Sequence, residues 1–304
     1  MEIRIATRGS KLALWQANYF ASLISKHLAG VTPEIVPVVT DGDRIQDRPL
    51  HEVEGKTLFI KEVENALLEG KADAAVHCIK DYHPQTPQEF LIAAYPERES
   101  DRDLLITQDP IASLDDLPEG AVLGTTSQRR IFFLRKRRPD LRFKMLRGNI
   151  DSRLSKLHAG HYDAIVLAQA GINRLNIDPG NFVVLGDESM LPAVGQGALA
   201  VEVLSSNPEL GELLSRFNHQ PTQVCVEAER ALVSGLSANC KSAVGANCQF
   251  LDDGRIRLRG HVGHPETLDD MSDEAIGQPD QAKQLGEQMA AGFLARGAAS
   301  LLEA

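Results

Sequence analysis

The sequence predicts an α/β protein with two α/β lobes and a smaller α+β domain at the carboxyl end. Segments typical of strands alternate with segments of helical periodicity through the first two thirds of the chain, and this alternation is typical of largely parallel sheets. The length of 304 residues exceeds one typical core and favours two or three domains. After residue 222 the pattern changes to a helix, a hairpin and a closing helix, which indicates a separate small domain.

Apolar periodicity places the elements of the two lobes. Helical spacing predicts one helix through Ala13, Ala17, Phe20, Ile24 and Leu28, and a second through Phe59, Val63, Ala66 and Leu67 that stops at Gly70. A basic helix and a helix from Asn149 to His158 are predicted farther along. The strand-like segments are Ile3–Thr7, "PEIVPVV", "ADAAVHC", "AVLGT", "RFKMLRG" and "YDAIVLAQA".

Two further segments set the predicted domain limits. "LPAVGQGALAVEV", Leu191 to Val203, is predicted to cross between the lobes, with Gly195 and Gly197 in unusual backbone conformations. Beyond it we predict the helix "TQVCVEAERALVSGL", a loop with Cys240, a hairpin turning at Asp253-Gly254, and a helix from Gln281 to Leu302 with Leu285, Met289 and Phe293 on one side. The predicted domains are residues 1–96 with 198–219, residues 97–197, and residues 220–304.

The composition argues against several functional classes. A formal net charge of −10 at pH 7 disfavours general nucleic-acid binding, which needs a positive surface. No apolar run approaches the roughly 18 residues of a membrane span, and "MEIRIATRGS" lacks the apolar core of a secretion signal. We therefore expect a cytoplasmic protein without a nucleic-acid or membrane partner. The four cysteines, Cys78, Cys225, Cys240 and Cys248, lack paired metal-site spacing, so we expect free thiols and no bound metal.

A basic stretch stands out in this acidic chain, because six basic residues lie within Arg129 to Arg138. It follows the junction "VLGTTSQRR", which resembles an earlier junction, "RIATRGS". In each, a serine (Ser127 or Ser10) stands where a helix begins, beside an arginine (Arg129 and Arg130, or Arg8). Plain N-capping is one interpretation, but the adjacent arginines favour binding of an anion with several carboxylates. The later group, Arg135 to Arg138, is predicted to be mostly a solvated face at the helix end.

Further arginines with the same chemistry follow at other junctions. Arg147 and Arg153 lie in "LRGNIDSRLSK", and Arg174 lies near the end of "AGINRLN". A guanidinium group matches a carboxylate in a planar, two-pronged way and keeps its charge. These arginines therefore extend the predicted carboxylate-binding set.

"HCIKDYH", residues 77 to 83, follows a predicted buried strand, at the kind of strand end where α/β proteins bind ligands. Lys80 can meet an anion, and Asp81 can stabilise a positive charge that develops on a substrate. A structural salt bridge between Asp81 and an arginine is the alternative. His77, Cys78, Asp81 and His83 could also be considered as metal ligands, but their irregular spacing disfavours this.

Six segments together resemble the porphobilinogen deaminase (hydroxymethylbilane synthase) family. They are "IATRGSKLALWQA", "KTLFIKEVENALLEGKADAAVHCIKD", "GTTSQRR", "RGNIDSRLSKL", "YDAIVLAQAGINRL" and "LPAVGQGAL", and the resemblance runs in order from residue 3 to residue 260. It implies two lobes like periplasmic binding proteins, a smaller domain with a cysteine, and a monomer. It also implies condensation of four porphobilinogen molecules into a linear tetrapyrrole with loss of ammonia, primed by a dipyrromethane cofactor held through a thioether.

The resemblance also implies roles for individual residues. Asp81 matches the catalytic aspartate, which stabilises the cationic azafulvene formed as ammonia leaves, and Cys240 in "SANCKSAVG" matches the cofactor-bearing cysteine. The positions that match the binding of cofactor carboxylates are Lys80, Ser127, Arg129, Arg130 and Arg153, and those that match the binding of substrate and growing chain are Arg8, Arg147 and Arg174, with Ser10 beside Arg8. Phe59 and Lys56 match a mobile loop beside the cleft.

Several positions depart from the family pattern. Tyr82-His83 replaces Val-Pro, Ala238-Asn239 replaces Gly-Gly, residues 242–245 read Ser-Ala-Val-Gly in place of Val-Pro-Ile-Gly, and Glu54 and Thr57 replace glycines. Because these changes lie near Asp81 and Cys240, one open alternative is a paralogue with a different substrate or cofactor use. The other is a non-catalytic module that binds a polycarboxylate, because the implied lobes resemble periplasmic binding proteins.

Overall fold

The computed structural model describes residues 1–40, 60–186, 189–237 and 242–302. In these ranges the strands are β1 (Glu2–Arg8), β2 (Thr32–Val38), β3 (Ala74–Cys78), β4 (Phe90–Ala94), β5 (Asp103–Thr107), β6 (Val122–Gly124), β7 (Arg142–Lys144), β8 (Ala164–Ala168), β9 (Asn181–Leu185), β10 (Leu199–Leu204), β11 (Ala243–Phe250), β12 (Ile256–Gly263) and β13 (Asp270–Gly277). The α-helices are α1 (Lys11–His27), α2 (Lys61–Leu68), α3 (Gln128–Arg137), α4 (Ile150–His158), α5 (Gln169–Leu175), α6 (Pro208–Ser215), α7 (Gln220–Leu236), α8 (Ala282–Ala295) and α9 (Ala299–Leu302).

The first lobe is built on a five-stranded sheet with the order β2-β1-β3-β10-β4. β1 pairs in parallel with β2 and β3, whereas β10 runs antiparallel to β3 and β4. Ile3 and Ile5 of β1 are fully buried and belong to one core cluster with Phe20 and Ile24 of α1. The apolar residues whose spacing predicts α1 therefore form the face of this helix that packs on the sheet.

The second lobe repeats this arrangement with the order β7-β6-β8-β5-β9. β6 pairs in parallel with β7 and β8, and β5 runs antiparallel to β8 and β9. Leu104 and Leu105 of β5 belong to different core clusters, so both faces of this sheet are buried. The reversed strand occupies the fourth place in both orders, and the prediction of largely parallel sheets holds for the other four strands of each sheet.

The third sheet is small and antiparallel, with the order β11-β12-β13. Its core combines Leu258 of β12 with Leu232 of α7 and Met289 and Phe293 of α8, which confirms a smaller α+β domain. The predicted hairpin is confirmed, and Gly254 in its turn has φ 82°. The antiparallel partner β13 was not predicted from the sequence.

The closing helix is a correction to the prediction. A single helix from Gln281 to Leu302 was expected, but α8 ends at Ala295 and α9 begins at Ala299. Gly297 between them has φ 91°, a left-handed conformation that ends a helix and that glycine adopts without steric cost.

The chain divides into two compact units, residues 1–99 with 197–223 and residues 100–196 with 224–304. The three-stranded sheet therefore belongs to the same unit as the second lobe, and the three predicted domain ranges stay a prediction. The crossing segment matches its prediction, because Gly195 and Gly197 have φ 65° and 84°. Within the described ranges, no helix is long and apolar enough to cross a membrane. Among the described cysteines, Cys78, Cys225 and Cys248 form no disulfide bond.

Candidate functional site

The carboxyl ends of β1 and β3 carry the first group of predicted site residues. These strands are parallel neighbours, so their ends meet at one edge of the sheet. Arg8 is the last residue of β1, and Ser10 caps α1 by accepting a hydrogen bond from the N–H of Ala13 at 3.3 Å. Lys80 and Asp81 lie in the short 3-10 turn that follows β3. The structure thus brings these four residues to one edge of the first sheet.

Asp81 is exposed and stands apart from the ion pairs of the protein. Among the described residues its carboxylate forms no hydrogen bond and no ion pair, so a structural salt bridge to an arginine finds no support there. Lys80 beside it is exposed as well. A carboxylate in this state keeps all its acceptor sites for a ligand.

The residues around Asp81 bind other carboxylates. His77 Nε2 lies 2.8 Å from Glu202 Oε2, and the Tyr82 hydroxyl donates to Glu202 Oε1. His83 Nε2 lies 2.9 Å from Glu64 Oε1. The imidazoles that could have been considered as metal ligands are therefore engaged in two hydrogen-bonded clusters.

The carboxyl ends of β6, β7 and β8 carry the second group. These three strands are parallel neighbours, so their ends also meet at one edge. Ser127 caps α3 by accepting a hydrogen bond from the N–H of Arg130 at 3.4 Å. β6 and β1 occupy the same place in their sheets, which confirms that the two serine-capped junctions correspond. The predicted residues that follow this edge are Ser127, Arg129, Arg130, Arg147, Arg153 and Arg174.

Arg129 and Arg130 are buried and share one partner. Their guanidinium groups bind the two carboxylate oxygens of Asp103 on β5, each at 2.7 Å. A second nitrogen of Arg129 donates to the carbonyl oxygen of Leu191 at 2.6 Å, and one of Arg130 donates to that of Val166 at 2.7 Å. The two guanidinium groups are held in place from both ends.

Two arginines around one aspartate leave this cluster with a net positive charge. Burial opposes ionisation of Asp103, but the charges of Arg130 and Arg129 outweigh it and hold the pKa of this carboxyl well below its usual range. The Nε atom of Arg130 is buried and has no hydrogen-bond partner among the described residues. The cluster therefore keeps positive charge and one unused donor after Asp103 is satisfied.

The remaining arginines of this edge are placed by the turn before α4. Gly148 has φ 112°, and a side chain there would collide with the Ser152 hydroxyl, so the turn requires glycine. Arg153 Nε donates to the carbonyl oxygen of Gly148 at 2.8 Å, and Lys156 donates to that of Arg147 at 2.9 Å. Arg147 and Arg153 are half-buried.

Arg174 lies on α5, which follows β8, and is 6% exposed. Burying a guanidinium group is costly unless polar groups surround it. Its position after the third parallel strand places it with the other arginines in the second lobe.

The carboxyl end of the basic helix is less solvated than predicted. Lys136 and Arg137 are exposed, but they pair with Asp270 and with Asp115, the latter at 2.6 Å. Arg138 is mostly buried and pairs with Asp140 at 2.8 Å. The charges of these cations are therefore neutralised by acids of neighbouring segments, and the ion pairs attach α3 to those segments.

Seven positions discussed above lie outside the described residues. Three are predicted site residues and four are departures from the family pattern: Cys240, Phe59 and Lys56, and Glu54, Thr57, Ala238 and Asn239.

Sequence reasoning missed three buried acids. Asp103 organises Arg129 and Arg130, Glu202 binds Tyr82 and His77, and Glu229 accepts hydrogen bonds from the N–H groups of Gly195 at 2.7 Å and Cys248 at 3.0 Å. A signal was present for Glu202, because it interrupts the apolar run "LAVEVL". An acid inside a buried strand requires hydrogen-bond partners, so its presence in the sequence indicates a specific buried contact.

Comparisons with known proteins decide the family. The model "Porphobilinogen deaminase, dipyromethane cofactor binding domain" matches residues 3–212, and "Porphobilinogen deaminase, C-terminal domain" matches residues 223–295. The chain belongs to the porphobilinogen deaminase family. The second match extends beyond residue 260, where the resemblance read from the sequence weakens.

The porphobilinogen deaminase of Sulfurimonas denitrificans is 41% identical to this family member over 300 residues, which cover 98% of this chain and 95% of that protein. Solved structures with some similarity include the methionine binding protein MetQ, with a TM-score of 0.45 and 13% identity over 71% of this chain and 90% of that one. An ancestral cationic amino acid solute binding protein has a TM-score of 0.44 and 18% identity, over 71% and 87% of the two chains. The two-lobe architecture itself is given by the strand orders above.

Proposed function

We propose that this protein is a hydroxymethylbilane synthase, a transferase of tetrapyrrole biosynthesis that supplies porphyrin and haem formation. It joins four porphobilinogen molecules head to tail, one at a time, with loss of one ammonia in each step. It acts in the cytoplasm as a monomer, on a dipyrromethane cofactor attached to Cys240 through a thioether. Family membership and the 41% identical porphobilinogen deaminase support the reaction.

The observation that carries the proposal is the row of fixed cations along the second sheet edge. Each porphobilinogen brings an acetate and a propionate, so the product chain gains two negative charges per unit and repels itself. Arg129 and Arg130 offset this repulsion with two positive charges. Asp103 orients both guanidinium groups, but its single negative charge neutralises only half of their positive charge. Arginine suits the task because it stays charged and binds carboxylates through two donors.

The described residues fit the cofactor's chemistry. By the family resemblance, its carboxylates would be held by Lys80, Ser127, Arg129, Arg130 and Arg153. The buried and unpartnered Nε of Arg130 is the kind of donor that a carboxylate oxygen satisfies. When bound, the dipyrromethane supplies the pyrrole carbon to which the first substrate unit is joined.

Asp81 supplies the chemistry of the substrate step. Loss of ammonia from porphobilinogen leaves a positive charge on the pyrrole ring, and a fixed carboxylate that accepts a hydrogen bond from the ring N–H stabilises that charge. The exposure of Asp81 and its freedom from ion pairs among the described residues support this role. By the family resemblance, the carboxylates of substrate and product chain are assigned to Arg8, Ser10, Arg147 and Arg174.

Intact-mass spectrometry tests the proposal. Protein purified from a haem-producing host should carry the mass of two porphobilinogen units, and Cys240→Ser should lack it. The loaded protein should convert supplied porphobilinogen to a product that closes to a uroporphyrinogen. An unmodified thiol together with no such product would contradict the proposal.

The second candidate is a paralogue with altered substrate or cofactor use. The hydrogen bonds of Tyr82 and His83 support this candidate, because these two departures from the family pattern form side-chain contacts directly after Asp81. A covalent adduct of a different mass on Cys240 would support it. A carboxylate-binding module would bind the product chain without turnover and without any adduct.

A further inference from the structure

We propose that Tyr82 and His83 are positioning residues that hold Asp81 in its reactive place through Glu202 and Glu64. The inference rests on the proposed function, because the catalytic role of Asp81 belongs to it. It concerns the two residues of this chain that replace the family's Val-Pro pair.

Glu202 is the anchor on the sheet side. It lies on β10, between β3 and β4, and is fully buried. Its Oε2 is 2.8 Å from His77 Nε2, and its Oε1 accepts the hydroxyl hydrogen of Tyr82. A buried carboxylate must have donors, so removal of either partner leaves an acceptor unsatisfied inside the sheet.

Tyr82 is fixed at its backbone and at its side chain. Its N–H donates to the carbonyl oxygen of Ile79 at 3.0 Å, which closes the turn that contains Asp81. Its ring lies 5.2 Å from the rings of His77 and His83. Burial and the charge of Glu202 raise the pKa of Tyr82, so the hydroxyl keeps its proton and stays a donor.

His83 provides a second attachment in a different direction. Its Nε2 lies 2.9 Å from Oε1 of Glu64 on α2, and both side chains are mostly buried. Two consecutive residues therefore tie the end of the turn to β10 and to α2. Asp81, whose carboxylate forms no hydrogen bond or ion pair among the described residues, takes its orientation from these neighbours.

Tyr82→Phe tests the positioning role, because it removes one hydroxyl and keeps the ring. Since a misplacement of about 1 Å can cost up to about a hundredfold in rate, we expect kcat to fall about tenfold or more. KM for porphobilinogen and the mass of the loaded cofactor should stay unchanged. Ile24→Val, in the α1 core of the same lobe, is the matched control, and it should lower Tm without lowering kcat of the folded enzyme.

Variants of His83 and Asp81 sharpen the test. His83→Ala should lower kcat, and His83→Gln, whose amide can still donate to Glu64, should restore it to within about twofold of the wild type. In an Asp81→Glu background, where the carboxylate is already displaced, Tyr82→Phe should cost less than about threefold, because the two residues act through one position.

Amide hydrogen exchange separates this inference from the proposed function. Peptides that contain residues 79–83 should exchange faster in Tyr82→Phe and unchanged in Ile24→Val. A wild type without synthase activity would refute the proposed function, and exchange would then decide whether the network holds the turn. An active wild type whose Tyr82→Phe variant keeps full kcat, or loses rate equally in the Asp81→Glu background, would overturn the inference.

Discussion

The two lobes place their one reversed strand alike, but among the predicted site residues only the edge of the first sheet carries an acid. At the first edge, Asp81 is exposed, and its carboxylate forms no hydrogen bond or ion pair among the described residues. At the second edge, Arg129 and Arg130 are buried and each is tied by two hydrogen bonds. One architecture therefore holds an exposed acid in one lobe and buried, hydrogen-bonded cations in the other.

Under the proposed function, the difference follows from the role of each group. Cations that bind many carboxylates gain from fixed positions, since less side-chain freedom is lost on binding. An acid that stabilises a charge formed during reaction must keep its acceptor sites unused until then. Substitutions at the two edges should therefore separate turnover from binding and stability.

Asp81→Ala should produce the largest effect. Loss of a charge-stabilising group of this kind costs about 10²–10³-fold in kcat, whereas the second edge, and with it carboxylate binding, stays intact. Steady-state assays and intact mass would measure turnover and cofactor loading on the same samples. Near-normal turnover would remove the contrast between the edges.

Asp103→Asn should act on stability. The variant leaves Arg129 and Arg130 buried without a counter-charge, and breaking a buried pair in this way costs about 3–5 kcal/mol. Because the folded-state pKa of Asp103 is depressed, its stabilisation is full well above the unfolded pKa of 3.8 and is lost progressively as the pH falls below that value. Urea unfolding at pH 7 and pH 3 would measure both.

Asp115→Asn is the matched control for Asp103→Asn. It breaks the ion pair between Asp115 and Arg137, and Arg137 lies on the same helix as Arg129 and Arg130. Both side chains of this pair are about half exposed, so the loss of stability should be far smaller. Equal losses in the two variants would show that burial does not distinguish the pairs.

His261 of β12 contacts the basic helix α3, so a substitution of His261 tests what this contact contributes to stability. Its ring lies 4.9 Å from that of Phe132 and 4.5 Å from that of Phe133, both on α3, and burial, opposed by Asp270 and aided by Lys136, lowers its pKa to about 4. Above the unfolded pKa of 6.5, His261 is neutral in both states and does not lower the free energy of unfolding. As the pH falls toward 4, that free energy decreases, because His261 takes up a proton in the unfolded protein but not in the folded one.

From pH 7 to pH 5 the free energy of unfolding should therefore fall by about 2 kcal/mol through this residue. In His261→Gln that component should disappear from the difference between the two unfolding curves. An unchanged pH dependence would mean that His261 titrates alike in the folded and unfolded protein.

The smallest effects are expected at the two serine caps. Ser10→Ala and Ser127→Ala each remove one accepted hydrogen bond at a helix start and should each cost about 1 kcal/mol. If both caps also contact ligand, cofactor loading should fall more in Ser127→Ala, and KM should rise more in Ser10→Ala. Thermal unfolding and substrate titration of the two variants compare the edges directly.

Much of the fold could be predicted because its elements are local. The apolar periods of α1 and of "ADAAVHC", the glycines of the crossing segment and the Asp253-Gly254 turn each specify structure over a few residues. The reversed strand of each sheet could not be predicted in this way. β10 enters the first sheet from beyond the second lobe, and only long-range pairing selects its neighbours.

By itself the sequence determined the helix starts at Ser10 and Ser127, the alternation of strands and helices, and the types of charged residue at the strand ends. Only the tertiary structure decided that Asp103 joins Arg129 to Arg130 and that Glu202 receives Tyr82. The physical reason is that local patterns depend on backbone geometry and side-chain spacing, whereas a buried acid finds its partners only when distant strands come together.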